Sequence, residues 1–490
     1  MGLKAYQGRR YGISGKRHLL TVCCICIALL ILLPSHLLAL TSPEIKVHSF
    51  TLPNGMKVYV IPHGTMPVLT HMVWYKVGAQ DEPPGESGIA HFLEHLMFKG
   101  TKNTGPGQFS EIVASLGGDE NAMTSQDYTV YYQTIAIQHL PRVMALEADR
   151  MLNLSFGQKD FDHEKQVILE ERSSRMESTA RAKLLEHMRN ALYINHPYGK
   201  PVIGWRHEIA SLTESSVRHF YESYYAPNNA SLVLAGGITP EEGLRLARRF
   251  YGHLPPARSI TKHQTLSEPP HNVARSLTLQ DKTVSRPEWT RMYLAPSASH
   301  GDTEHAMPLV VLAQVLGGSE TGRLTKALVL NQKLAISAGA DYDLFSFGPS
   351  IFSIHVYPID SDTMERIEDQ VEEQIRQIIL DGITQEELER AKAVLRADYI
   401  YAQDSARTLG FVVGQAIFSG LSPEYLSSYL QKLDAVTLEQ VQQAAALVLK
   451  EKQSVTGILK QEKSNISPSA EHTRLNPVLI GPPYQYGGTL

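Results

Sequence analysis

Strand-like and helix-like segments alternate along nearly the whole chain after residue 45, and this alternation most constrains the fold. Short runs rich in β-branched and aromatic residues, such as 68–79 and 231–237, read as strands. Longer amphipathic stretches, of which 160–193 is the longest, read as helices. The pair Asn54-Gly55 between two apolar alternations predicts a β-hairpin near the start of this region. The pattern therefore predicts a protein in which helices pack on sheets.

A faint internal repeat predicts that this arrangement is duplicated. LTESSV at 212–217 begins a predicted helix that leads to a strand, and VTLEQV at 436–441 does the same at nearly the same distance. Six similar residues can arise by chance, but each copy closes its own half of the chain. We therefore predict an α+β fold of two related αβ domains. Each would be an antiparallel-rich sheet packed with helices, and together they would enclose a cleft.

Composition shifts along the chain give the predicted boundaries. Proline, serine, threonine and histidine are enriched between the two halves, which is typical of a linker, and the end of the chain shows no periodicity. The predicted parts are a signal peptide or N-terminal anchor at 1–40, an N-terminal domain at 45–254, a linker at 255–283, a homologous C-terminal domain at 284–460 and a poorly ordered tail at 461–490.

The N-terminus has the order of an export signal. Basic residues without any acid precede an apolar stretch at 19–33, and small residues follow, including Ala39. Leu37 makes the cleavage site a poor one, so an uncleaved membrane anchor is the alternative. We expect an exported protein that is periplasmic or extracellular if its host is bacterial.

Composition excludes several other classes of protein. The chain has 490 residues, of which 43% are hydrophobic and 20% charged, and this excludes a multi-span membrane protein or a low-complexity protein. A formal net charge of −4 lacks the excess of basic residues that is typical of nucleic-acid-binding proteins. The cysteines all lie at 23–26, within the N-terminal apolar stretch. The remaining chain therefore has neither a disulfide nor a thiolate metal site.

The sharpest chemical feature is the run His91-Phe92-Leu93-Glu94-His95. On a helix, His91 and His95 are one turn apart on one face, so both imidazoles can reach one cation. Glu94 lies on the adjacent strip, where it can take a proton from a water molecule without being a ligand. Zinc suits two imidazoles and a carboxylate with a fourth position open. The alternative is a surface helix, but the flanking apolar residues predict burial, where such polar groups are costly unless paired or metal-bound.

A third ligand must come from elsewhere in the chain. The predicted helix at 161–175 offers Glu164, Glu170 and Glu171. Glu164 and Glu171 are two turns apart on one face of this helix. A solvated, charged helix is the alternative, because Glu170 and Glu171 could equally face water. The residue pattern alone leaves this choice open.

These motifs resemble those of the pitrilysin family of zinc peptidases, and in particular its mitochondrial-processing-peptidase-like branch of two-domain chains. His91-x-x-Glu94-His95 is similar to the inverted zinc motif of the inverzincins. The resemblance implies one Zn²⁺ per chain, held by the two histidines and by Glu171. It also implies that Glu164 is a supporting glutamate, and that Glu94 is the general base and later the proton donor.

The resemblance covers nearly all of the chain after residue 45. The segment 117–132 resembles the family segment that leads into the strand that pairs with substrate, through Asn121, Ala122 and Met123. A peptide is therefore expected to add as a strand beside this segment, with backbone hydrogen bonds giving affinity. Further segments similar to family landmarks are 196–205, 224–237 and 316–343.

The chain departs from the family pattern in its second half. Many active members carry an arginine and a tyrosine there, which help to hold substrate or the transition state. In this chain those places hold Val329 and Ile336. Some systems in this branch divide the two sets of residues between subunits. The departure therefore implies a homologous partner subunit that supplies the missing pair, a homodimer, or an activity that is weakened or altered.

The sequence predicts a secreted zinc-dependent endopeptidase that hydrolyses peptides or unfolded protein segments by a metal-activated water. The alternative from another class is a non-catalytic scaffold or core subunit of a pitrilysin-like complex. Such subunits usually lose zinc-motif residues, whereas this chain keeps all of them. A zinc carrier would predict exposed histidine-rich tracts, and none is present in the sequence. No nucleic-acid partner is expected, and membrane contact only through an uncleaved N-terminal anchor.

Overall fold

The computed structural model describes residues 45–64, 66–260, 266–318 and 320–462. The predicted signal segment at 1–40 lies outside these residues, as does the predicted tail from residue 463 onwards. No helix in the described part of the chain has the length and hydropathy that a membrane span requires.

The first half of the chain builds one six-stranded sheet. Its strands are β1 (His48–Thr51), β2 (Lys57–Pro62), β3 (Val68–Tyr75), β4 (Asp119–Thr124), β5 (Thr129–Ala136) and β6 (Ala230–Gly236). The order across the sheet is β1-β2-β6-β3-β5-β4, which leaves β4 at an edge. Neighbours are antiparallel except β2 and β6. The predicted hairpin joins β1 and β2, and Gly55 has the left-handed φ of 89° that its turn requires.

The second half builds a five-stranded sheet of similar design. Its strands are β7 (Arg275–Asp281), β8 (Glu288–Ala295), β9 (Ala335–Tyr342), β10 (Ser350–Pro358) and β11 (Ser454–Gln461). The order is β7-β11-β8-β10-β9, and only β7 and β11 are parallel. Strand β7 lies inside the stretch predicted as a linker. This segment is a strand because its backbone pairs with β11 and alternate side chains are partly buried on one face. The connecting segment is therefore shorter than the sequence suggests.

Helices cover both sheets. Those of the first half are α1 (Ile89–Leu96), α2 (Gln108–Ser115), α3 (Leu140–Asn153), α4 (Gln158–Arg172), α5 (Ala180–Leu192), α6 (Arg206–Ser211), α7 (Glu214–Tyr224) and α8 (Pro240–Phe250). Those of the second half are α9 (Ala306–Leu316), α10 (Met364–Asp381), α11 (Gln385–Tyr401), α12 (Ala406–Phe418), α13 (Pro423–Ser427), α14 (Tyr429–Ala435) and α15 (Leu438–Val448). The stretch predicted as one helix over 160–193 is divided by a π-helical turn at Ser173–Glu177, between α4 and α5.

The elements of the two halves recur in the same order, which confirms the predicted duplication. Helices α3 and α10, helices α7 and α15, and strands β6 and β11 begin about 224 residues apart. Each sheet also has one parallel pair among antiparallel ones, and in both the strand that closes its half takes part. The chain is therefore an α+β protein of two related αβ units.

The two halves cover each other's sheets. Helix α12 of the second half packs on β3 and β6, and its glycines allow this close approach. A Cβ at Gly414 would lie 2.1 Å from the ring of Trp74, and one at Gly410 would lie 2.8 Å from Met72. Helix α5 of the first half packs in return on β11, where a Cβ at Gly457 would lie 2.1 Å from Met188. The first sheet is consequently buried on both faces, and this explains the almost unbroken burial of β3.

Candidate metal centre

Helix α1 presents the inverted motif from a well-anchored position. Gly88 begins the helix with a left-handed φ of 88°, and the Glu82 carboxylate accepts the Ala90 N–H at 3.1 Å. A carboxyl oxygen at a helix N-terminus satisfies an otherwise unpaired backbone donor. One face of α1 is fully buried in the core of the first half, including Phe92 and Leu93. His91 and His95 lie on the side of α1 that faces α4, where they contact its carboxylates.

Helix α4 supplies the carboxylates. Phe161 stacks on Phe92 of α1 with ring centroids 4.9 Å apart, which fixes the two helices side by side. At the other end, the buried Arg172 guanidinium donates to the Gly204 carbonyl at 2.7 Å and to the Glu186 carboxylate. Between these anchors, Glu164 is buried and Glu170 is exposed. Of the three glutamates that the sequence offers, Glu164 and Glu171 face α1 and contact His95, whereas Glu170 faces solvent.

The structure brings His91, His95 and Glu171 together. One ligand atom from each lies within 4.8 Å of the others. The Glu171 Oε2 atom is 3.2 Å from His95 Nε2 and 3.9 Å from His91 Nε2. Within the described residues this is the one group of three histidine, cysteine or acidic side chains so arranged. The predicted third ligand thus lies beside the two histidines.

A second glutamate and a lysine orient His95. Its Nδ1 atom is 2.9 Å from Glu164 Oε1, and the other oxygen of Glu164 pairs with Lys99. This contact assigns a proton to Nδ1, so Nε2, which faces Glu171, is the nitrogen available to a metal. A carboxylate behind a metal-binding histidine has this role in many metal sites. No sequence signal points to Lys99, because it lies beyond the end of α1, where no helical periodicity marks it.

The electrostatics of the cluster suit a cation. Burial, followed by the neighbouring His95, lowers the pKa of His91 to about 3, so this imidazole is neutral at pH 7. Burial opposes the charging of His95, but hydrogen bonds to Glu164 and Glu171 outweigh it and raise its pKa to about 9. Burial also opposes the charging of Glu171, yet its hydrogen bond with His95 lowers its pKa to about 2. In this arrangement the imidazolium of His95 supplies positive charge beside the carboxylates.

These residues fit a zinc ion. Ligand atoms about 2.0–2.1 Å from a tetrahedral zinc lie about 3.3 Å from one another. The distances of 3.2 Å and 3.9 Å to Glu171 Oε2 are therefore close to those of a formed site. Two imidazoles and one carboxylate also match the donor set of catalytic zinc sites, which leave one position open.

Glu94 lies beside the cluster and is held by another element. The Thr124 hydroxyl donates to Glu94 Oε2 at 2.5 Å, and the Thr124 backbone N–H also donates to this carboxylate. Burial raises the pKa of Glu94, and the Thr124 hydrogen bond offsets part of this rise. A carboxylate with a raised pKa next to a metal site is suited to accepting and returning a proton. The role of Thr124 is not visible in the sequence, because no spacing rule relates this residue to α1.

The predicted substrate-binding residues lie close by but outside the ligand cluster. Asn121, Ala122 and Met123 are on the edge strand β4, which ends at Thr124. The predicted sites of the missing pair lie in the second half. Val329 packs partly buried against its core, and Ile336 is 54% exposed on β9. Neither side chain carries a hydrogen-bond donor.

The fold and the site together define the class of two-unit αβ chains with an inverted zinc motif on a buried helix. The family model "Insulinase (Peptidase family M16)" matches residues 59–205, and the model "Peptidase M16 inactive domain" matches residues 211–395. The chain belongs to the M16 family of zinc peptidases, the pitrilysin family that the sequence motifs resemble.

Several curated proteins are similar over most of their length. The zinc protease PqqE of Helicobacter pylori is 28% identical over 418 residues, which cover 85% of this chain and 93% of that protein. The uncharacterized zinc protease YmxG of Bacillus subtilis is 26% identical over 400 residues, covering 81% of this chain and 94% of that one. A probable mitochondrial-processing peptidase subunit beta of Schizosaccharomyces pombe is 26% identical over 380 residues, covering 76% and 82%.

Solved structures show the same architecture. A protease from Helicobacter pylori superposes with a TM-score of 0.79 at 28% identity, covering 85% of this chain and all of that one. The first half of the periplasmic protease PqqL from Escherichia coli has a TM-score of 0.72 at 23% identity, covering 85% and 92%, and is similar in fold.

Proposed function

We propose that this chain is an exported zinc-dependent endopeptidase that hydrolyses peptides or unfolded protein segments. The observation that carries the proposal is the convergence of His91, His95 and Glu171 beside an acidic side chain, Glu94, that is not one of them. Relatives named as zinc proteases support it, as does the export-like N-terminal sequence. Similarity in fold to PqqL, which is described as a periplasmic protease, is consistent with export.

Each side chain then has a defined task. His91, His95 and Glu171 would hold one zinc ion, and Glu164 with Lys99 would keep His95 in the required tautomer. Zinc would supply Lewis acidity, which lowers the pKa of a bound water and polarises a peptide carbonyl. Glu94 would take the proton of the attacking water and return it to the leaving amine. Burial raises the pKa of Glu94, which favours proton uptake by its carboxylate.

The edge strand β4 would receive the peptide. Strand β4 is the last strand of its sheet and pairs with β5 on one side only, so its outer edge is open to the addition of a second chain as a strand. Asn121, Ala122 and Met123 lie on this strand directly before Thr124, whose hydroxyl contacts Glu94. Backbone pairing favours extended, flexible segments over folded proteins, which is the substrate class proposed.

The second half would contribute structure rather than a second centre. The positions about 224 residues after Glu164 and Glu171 hold Leu388 and Leu395, both buried in the core. Helix α9, near the position equivalent to α1, is almost entirely apolar. Among the described residues, this asymmetry supports the proposal of one zinc ion per chain.

Metal removal tests the proposal directly. A chelator is expected to abolish cleavage of an unstructured peptide, and one equivalent of zinc per chain is expected to restore it, because all three ligands lie in one chain. The measurement is peptide cleavage by mass spectrometry together with zinc content. A chain that binds zinc at this site and cuts no peptide, alone or with a partner, would instead be the scaffold subunit of the alternative hypothesis.

The purified chain alone is expected to be a weak peptidase. Val329 and Ile336 cannot donate hydrogen bonds to a developing oxyanion, and losing such a donor costs about 10²–10³ in rate. We propose that a homologous subunit supplies the arginine and tyrosine. The similarity to a protein named as a peptidase subunit supports this division.

The measurement is kcat/KM on an unstructured peptide for the chain alone and for a co-expressed pair with a homologue that carries both residues. A gain of about 10²-fold or more in the pair is expected. Full activity of the purified chain as a monomer or homodimer, unchanged by any partner, would reject the divided site and leave the zinc centre in place.

A further inference from the structure

The edge strand and the acidic side chain of α1 are physically joined. Thr124, the last residue of β4, donates both its hydroxyl and its backbone N–H to the Glu94 carboxylate. Thr124 is buried, and Thr129 on the neighbouring strand braces it: the Thr129 hydroxyl donates to the Val77 carbonyl at 3.0 Å and lies 3.5 Å from the Thr124 hydroxyl. The Thr124 hydroxyl is thus free to direct its proton to Glu94.

The direction of these groups places Glu94 on the free edge of β4. In an antiparallel strand, alternate N–H groups point to opposite sides. The Thr124 N–H goes to Glu94, and the Ala122 N–H, two residues earlier, goes to the side-chain oxygen of Asn121 at 2.8 Å. Both N–H groups therefore lie on the side of β4 that faces away from β5. Glu94 occupies the last outward donor of the edge on which a peptide would add.

We propose that Thr124 is a positioning residue, which ties Glu94 to the end of β4 and thereby sets the register of a bound peptide relative to the proton acceptor. This inference rests on the proposed peptidase function. A peptide strand on β4 can extend only as far as the position that Glu94 occupies. The peptide bond that lies beside Glu94 is consequently determined by the strand itself.

The Asn121 side chain completes this arrangement. The side-chain oxygen of Asn121 accepts the hydrogen bond from the Ala122 N–H, as the carbonyl of a bound peptide would, and Asn121 is exposed. An incoming peptide carbonyl would displace it from that N–H, one strand position before Thr124. The peptide and Glu94 would then be held by neighbouring outward donors of a single strand.

The test compares Thr124→Val, which keeps the shape and removes the hydroxyl, with Thr124→Ser, which keeps the hydroxyl. Thr124→Ala serves as a second hydroxyl-free variant should the valine variant be unstable. The matched control is Thr70→Val, which removes a buried hydroxyl contact with Thr134 elsewhere in the same sheet. The readouts are kcat and KM, the bonds cut, zinc content, Tm, and the affinity of the zinc-free protein for the same peptide.

Thr124→Val is expected to lower kcat by about 10–100-fold, the effect of losing one hydrogen bond to a charged group, and to spread cleavage to adjacent bonds. KM, zinc content and peptide affinity of the zinc-free protein should stay within about threefold, because the β4 edge and the ligands remain. Thr124→Ser and Thr70→Val should keep kcat within about threefold and cut the wild-type bonds.

Three results would overturn the inference. The first is a hydroxyl-free variant with wild-type kcat and cut sites. The second is Thr124→Ser impaired as strongly as Thr124→Val. The third is a loss of peptide affinity in zinc-free Thr124→Val that is as large as its loss of kcat, which would show that Thr124 acts in peptide binding. A wild-type chain without metal-dependent cleavage, alone or with a partner, would reject the proposed function itself, and this inference with it.

Discussion

Replacing Glu94 with glutamine is expected to reduce peptide cleavage by about 10²–10⁴-fold while zinc stays bound. Glutamine has nearly the shape of glutamate, and its amide oxygen can still accept from the Thr124 hydroxyl. What it loses is the ability to take up a proton. The side chains that converge on the metal position, His91, His95 and Glu171, are untouched. The loss should therefore appear in kcat, with little change in zinc content.

The measurement is kcat and KM of the wild type and of Glu94→Gln on one unstructured peptide, under the conditions in which the wild type is most active. Zinc content by elemental analysis and Tm should match the wild type. An activity within tenfold of the wild type would show that Glu94 is not the proton acceptor.

The second large effect is expected at Glu171. Glu171→Gln should weaken zinc binding by more than about 100-fold, because it replaces the carboxylate that faces both His91 and His95 with a neutral amide, which is a much poorer zinc ligand. Glu170→Gln is the matched control, since this neighbouring side chain is exposed to solvent and should leave zinc binding unchanged. Glu164→Gln should cause a milder loss, about 10–100-fold in affinity or activity, because it acts only through the orientation of His95.

Zinc affinity is measured by competition with a chromophoric chelator for the four proteins. The expected order of affinity is wild type and Glu170→Gln, then Glu164→Gln, then Glu171→Gln. Normal zinc binding in Glu171→Gln together with a loss of zinc binding in Glu170→Gln would show that Glu170, and not Glu171, is the third ligand. Such a result would contradict the orientation of α4 described above.

The sequence predicts the local parts of the site because helix geometry determines them. The spacing of His91 and His95 places both on one face of α1, and the spacing of Glu164 and Glu171 does the same on α4. The choice between Glu170 and Glu171 needs the family resemblance. The helix periodicity alone does not say which face of α4 meets α1, and the anchors at Phe161 and Arg172 determine that face.

Other features depend on contacts that no sequence pattern encodes. Thr124 and Lys99 contact the acidic groups of the centre from a strand end and from a loop. The polar composition around β7 predicts a linker, but the strand that pairs with it, β11, lies far along the chain. The amphipathic patterns of α5 and α12 predict that each buries one face, yet they do not specify which sheet covers it.

The exchange of α5 and α12 between the sheets has a consequence for how the molecule unfolds. If either half were separated, an apolar sheet face that now meets a helix of the other half would be open to water, at a cost of about 25 cal/mol for each Å² of apolar surface. We therefore expect the two halves to unfold as one cooperative unit, despite their common design. For the same reason, we expect the two pieces to stay assembled after a single cut in the polypeptide between the halves. By packing α12 on β3 and β6, the half without the zinc motif also supports the sheet that contains Thr124.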